Sequence, residues 1–154
     1  MSQSSFSAAA QELLNGILDQ LIPRSADGRL PGAGEIGLVA AIEKALGQTP
    51  AMRPVIDQGL GTMSQIVQAR GLGSLAALAG AERAQAMKEL ESKDAGFLIT
   101  LMFLAYPAYY QHPKVLGALN LEARPPHPEG YAMPPHDLTL LDAVRRRPKM
   151  FREV

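Results

Sequence analysis

Sixteen consecutive residues, Ala95 to Tyr110, carry no charged side chain. A helix of a soluble protein that is apolar all round must be enclosed on most of its sides. The segment therefore predicts a core helix at the centre of a bundle. It is too short for a bilayer, which needs about 20 apolar residues, so no direct membrane span is expected. Pro107 lacks a backbone donor and predicts a break or kink near the end of this helix.

The rest of the chain supplies helices to surround it and almost nothing that alternates like a strand, so the fold class is all-α. Ser5 or Ser7 is placed to cap a first helix whose Leu13, Leu14, Ile17, Leu18, Leu21 and Ile22 form one stripe before Pro23 stops it. After an Asp27-Gly28 turn, Pro31 fits a first helical turn, and Ile36, Val39, Ile42 and Leu46 predict a second helix ending near Gly47. Met52, Val55, Ile56, Met63, Ile66 and Val67 mark a third, terminated by Gly71 and Gly73. From Ala81 to Lys93, strong helix formers with a polar face predict an outer helix. The bundle domain is placed at residues 1–123.

Eight of the 12 prolines fall between Pro107 and Pro148. Beyond a short helix around Val115 to Leu119, the sequence reads as an extended, proline-rich C-terminal arm over residues 124–154. Ordering such a segment costs more conformational entropy than its few large apolar side chains recover alone, which favours a tail laid over a surface, its own or another protein's.

Candidate chemistry is sparse. Gly32 to Gly37 read G-x-G-x-x-G, with an acidic residue, Asp57, about twenty positions on, which is part of what a dinucleotide site requires. No Val- or Ile-rich strand precedes the glycines and Pro31 interrupts the approach, so the motif reads as a helix–turn–helix corner. The chain has no cysteine, which removes disulfides, thiolate catalysis and cysteine-ligated metals. His112, His127 and His136 lack the spacing that would gather them around zinc with Asp137. Ser74 has no nucleophile elbow, and Tyr106, Tyr109 and Tyr110 read as core or interface aromatics. Net charge is zero, so the single basic run Arg145-Arg146-Arg147 with Lys149 and Arg152 lacks the basic face that nucleic acid needs. The run suits either a solvated end or a protein interface, with Met150 and Phe151 as apolar anchors between guanidinium groups.

Three parts of the chain resemble the small subunit family called subunit 3, or gamma, of gluconate 2-dehydrogenase. The first runs from the N-terminal helix through Leu21-Ile22-Pro23 and the Asp27-Gly28 turn to Pro31-Gly32-Ala33. The second is the apolar helix ending in Tyr109-Tyr110 with Pro113, Val115 and Leu119. The third comprises Arg124-Pro125-Pro126, Gly130-Tyr131 and the stretch from Val144-Arg145 to Phe151-Arg152.

The resemblance implies a non-catalytic accessory subunit, without cofactor or metal of its own, that binds and stabilises, or helps mature, a large FAD-dependent dehydrogenase of the glucose–methanol–choline type acting on a sugar, sugar acid or other alcohol. The flavin would belong to that partner, and a cytochrome c subunit could carry electrons away. Tyr109, Tyr110, Arg124, Tyr131, Arg145, Arg147, Met150, Phe151 and Arg152 are the candidate partner-binding residues. Many family members carry a twin-arginine signal; residues 1–6 show no export signal, which favours a cytoplasmic complex, or a periplasmic one if the partner carries the signal or the chain is a mature form. The alternative is a self-contained helical ligand-binding protein or cofactor-independent enzyme with Tyr109, Tyr110 and His112 lining a pocket.

Overall fold

The computed structural model describes residues 6–71, 73–124, 130, 132–133 and 135–148, and among these the fold is all-α. The chain divides into two compact units, Met1–Arg124 and Pro125–Val154.

In the first unit, α1 (Ala8–Leu21) starts at Ser7, whose hydroxyl accepts the Ala10 N–H at 3.2 Å. Its Leu14, Ile17 and Leu18 are buried, as the stripe predicts. The Asp27 carboxylate orders the next turn by accepting from the Ser25 hydroxyl at 2.6 Å and from the Arg29 N–H at 3.0 Å. Gly28 takes φ of 71°, a left-handed conformation that glycine adopts without steric cost.

The second helix departs from expectation. Instead of opening at Pro31, the chain makes a 3-10 turn over Ala33–Ile36, breaks at Gly37 with φ of 70°, and only then forms α2 (Leu38–Gln48). The cause lies on α1: Asp19 Oδ1 accepts the Gly34 N–H at 2.8 Å and holds the turn against that helix.

After α2, α3 (Arg53–Gln68) buries Ile56, Leu60, Met63, Ile66 and Val67. Gly59 is buried with them because the Phe97 ring occupies the space a Cβ would need. α4 (Gly80–Lys93) is the polar outer helix, with Ala86 and Leu90 alone fully buried. Glu82 reaches back to accept the Ala79 N–H, half of a capping box. Arg70 of the α3 C-terminal turn and Lys93 both bind the Glu89 carboxylate, at 2.9 and 2.7 Å, tying α3 to α4.

α5 (Ala95–Tyr110) is capped by Asp94, which accepts the Phe97 N–H at 3.0 Å. It packs on α2, α3 and α4 through Phe97, Leu98, Leu101, Leu104, Ala105 and Tyr109. It is not the enclosed central helix that its composition predicts, because its opposite face is open to solvent. Nor does Pro107 break it. The carbonyl that loses its donor belongs to Phe103, on the exposed face, where water can replace the missing N–H. α6 (Pro113–Ala118) follows with Pro113 in its first turn.

In the second unit the expected extended arm is interrupted by helix. Asp137 accepts the Thr139 N–H at 3.1 Å and the Thr139 hydroxyl at 2.6 Å, opening a 3-10 turn over Leu138–Leu141 that runs into α7 (Asp142–Arg145).

Candidate partner-binding surface

Ile99, Phe103, Tyr106 and Tyr110 recur on α5 at steps of four, three and four, which places them on one helical face. All four are exposed: Ile99 and Phe103 at 64%, Tyr106 at 40% and Tyr110 at 51%. Large apolar side chains lined up this way are unusual for a surface that meets only water, whereas single exposed ones are ordinary.

The stripe is stiffened by its own contacts. The Tyr106 and Tyr110 rings stack with centroids 6.4 Å apart, and Tyr110 meets Tyr109 edge-on at 5.2 Å. Beside it runs a groove of about 440 Å³ between α5, α4 and the end of α1. Leu21, Met87, Leu98 and Met102 give the groove an apolar lining, and Lys88 and Glu91 add charges of opposite sign. Each large apolar side chain contributes roughly 1.5–3 kcal/mol when fully removed from water. Half-exposed as they are, these four retain part of that free energy for a contact not made among the described residues of the bundle.

Tyr109, one of the residues expected to meet a partner, faces the other way. It is 2% exposed, and its hydroxyl donates to the Pro31 carbonyl at 2.7 Å. Burial, then the neighbouring Tyr110 and Glu35, push its phenol above the usual tyrosine range. Tyr109 therefore joins α5 to the loop after α1 and leaves Tyr110 alone to represent the pair at the surface. His112 is likewise engaged in structure, its Nδ1 accepting the Lys114 N–H at 3.3 Å at the start of α6. These two engagements weigh against the pocket envisaged for Tyr109, Tyr110 and His112.

Arg124 ends the first unit and pairs with Glu122. Arg145 pairs with Asp142 at 3.4 Å, and Arg147 is exposed just beyond α7. Tyr131, Met150, Phe151 and Arg152 lie outside the described residues. Ile99 and Phe103 are not among the residues expected from sequence to face outward. The available signal was their spacing with Tyr106 and Tyr110, whose polar tips suit a boundary between apolar surface and water.

The glycine-rich loop is occupied by its own chain. Asp19 accepts the Gly34 amide, and its two oxygens lie 2.6 and 2.5 Å from where Cβ atoms would stand on Gly32 and Gly34. These glycines serve close approach to a carboxylate of α1. Among the described residues, no group of three or more His, Asp or Glu side chains gathers to hold a metal, and no helix is long and apolar enough to cross a membrane.

The family described as Gluconate 2-dehydrogenase subunit 3 matches the chain over residues 8–124. No curated protein and no solved structure matches the chain.

Proposed function

Because this chain belongs to the gluconate 2-dehydrogenase subunit 3 family, we propose that it is a non-catalytic subunit that binds and stabilises a large FAD-dependent dehydrogenase chain of the glucose–methanol–choline type. The flavin and the site for a sugar, sugar acid or other alcohol lie in that partner, from which a cytochrome c subunit takes electrons. The observation that carries this reading is the outward face of α5, where Ile99, Phe103, Tyr106 and Tyr110 are exposed in line. Burying that face against a second chain removes from water what the bundle leaves uncovered.

The test is co-expression of the tagged chain with a large flavin-dependent dehydrogenase chain from the same genome. The expected result is a yellow, dye-reducing complex retained by the tag. An Ile99→Lys, Phe103→Glu double variant should keep its helical circular dichroism and lose the flavoprotein. A monodisperse chain that retains no flavoprotein, and oxidises an alcohol by itself, would overturn the reading.

A further inference from the structure

The family match ends at residue 124, yet the chain continues through a second compact unit beyond it. Within it, eight residues from Leu138 to Arg145 are helical. Isolated helices shorter than about 12–15 residues are marginal in water, so a segment of this length needs a surface to hold it.

Its composition specifies that surface. Leu138 and Leu141 stand three apart in a 3-10 turn, where side chains at that spacing eclipse. Val144 follows three residues later on α7, and Leu140 precedes Val144 by four. All four are exposed, as is every residue from 135 to 148. At the C-terminal end stand Arg145, Arg146 and Arg147; in sequence Lys149 and Arg152 follow, against one carboxylate, Glu153. Arg145 and Arg146 turn back onto Asp142, the first residue of α7, through its carboxylate and its carbonyl respectively.

We propose that residues 137–147 are a docking helix, seated in an apolar groove of the large dehydrogenase chain whose rim, at the end that receives the arginines, is lined with carboxylates. Leu138, Leu141 and Val144 are the anchors, in the manner of an amphipathic helix in a groove. Arg145 and Arg147 set orientation by meeting the acidic rim, the favoured geometry for guanidinium and carboxylate. The inference rests on the reading of this chain as a partner subunit, and adds a second contact, separate from α5.

The experiment uses the full chain and its dehydrogenase partner, comparing wild type with a Leu138→Ser, Leu141→Ser, Val144→Ser variant and with Arg145→Glu, Arg147→Glu. Dissociation constants are measured at low and high salt. The apolar variant should bind about tenfold more weakly or worse at both salts, as for loss of central anchors. The charge-reversed variant should weaken most at low salt and lose much of its salt dependence. If wild type captures no dehydrogenase, the subunit reading fails and this inference with it. If wild type binds and both variants bind equally well, only the docking helix is refuted.

Three other outcomes also overturn it. The apolar variant could lower the unfolding temperature of the isolated chain, showing that the helix docks on its own bundle. It could abolish self-association of the wild type, showing a second copy as the occupant. Or the wild type could bind vesicles of anionic phospholipid through Arg145 and Arg147 while dehydrogenase affinity is unchanged in the variants.

Discussion

The hydroxyl of Tyr109 donates a 2.7 Å hydrogen bond to the carbonyl of Pro31, linking the last turn of α5 to the loop that precedes α2. Removing it strands a carbonyl at a site that the ring shields from water. Tyr109→Phe should therefore cost about 1–3 kcal/mol in urea unfolding. The phenol titrates above its ordinary value of 10.0 because burial disfavours the phenolate. Its contribution is fully present below pH 10 and is lost as pH rises through the higher folded value. The stability gap between wild type and Tyr109→Phe should therefore narrow as pH rises past 10, measured by urea unfolding in an alkaline pH series.

Gly34→Ala places a methyl group 2.5 Å from Asp19 Oδ2 and 2.6 Å from the Asn15 carbonyl oxygen, closer than atoms in real structures approach. Backbone must move on one side or the other, at a cost of about 1–3 kcal/mol. Asp19→Ala tests the same contact from the other side, since it leaves the Gly34 amide without its acceptor. Thermal unfolding should show both variants destabilised, and the double variant less destabilised than the sum.

Gly59→Ala drives a methyl group into the Phe97 ring at the crossing of α3 and α5. Overpacking there should cost about 1–3 kcal/mol. Pairing it with Phe97→Leu, which frees space beside position 59, should recover part of the loss in the same unfolding measurement.

Much of the fold was legible in the sequence because local chemistry fixes it. The Ser7 cap, the stripe of α3 and the proline opening α6 follow from patterns a few residues long. The exposed face of α5 was not legible in this way. Hydrophobicity states that a side chain gains by leaving water and does not say which chain will cover it, so Ile99 and Leu101 look alike in sequence while only Leu101 is buried. Gly59 was equally silent, since its requirement is imposed by Phe97 in another helix. The helical turn at Leu138 could have been anticipated from Asp137 two residues before Thr139, a capping signal masked by the surrounding prolines.

The two faces of α5 should separate cleanly under mutation. Leu101→Ala removes a fully buried side chain and should cost about 2–5 kcal/mol. Phe103→Ser, on the exposed face, should leave the stability of the isolated chain within about 0.5 kcal/mol. Urea denaturation midpoints of the two variants distinguish these outcomes.

Glu89 gathers Lys93 and Arg70, and these two cations, Lys93 first, hold its carboxyl below the ordinary 4.5. The stabilisation from this group is present above pH 4.5 and fades as pH falls through the lower folded value. Stability of Glu89→Gln should lie below wild type at neutral pH, with the gap narrowing under acid and under high salt. A pH series of thermal unfolding measures both.

The carboxylate that α1 delivers to the Gly34 amide is tethered to the loop it serves. A free phosphate would have to displace a ligand whose effective concentration, set by the short connecting chain, is on the order of millimolar or higher. The loop thus comes with its anion built in, and only a variant such as Asp19→Ala would vacate that amide for an anion from solution.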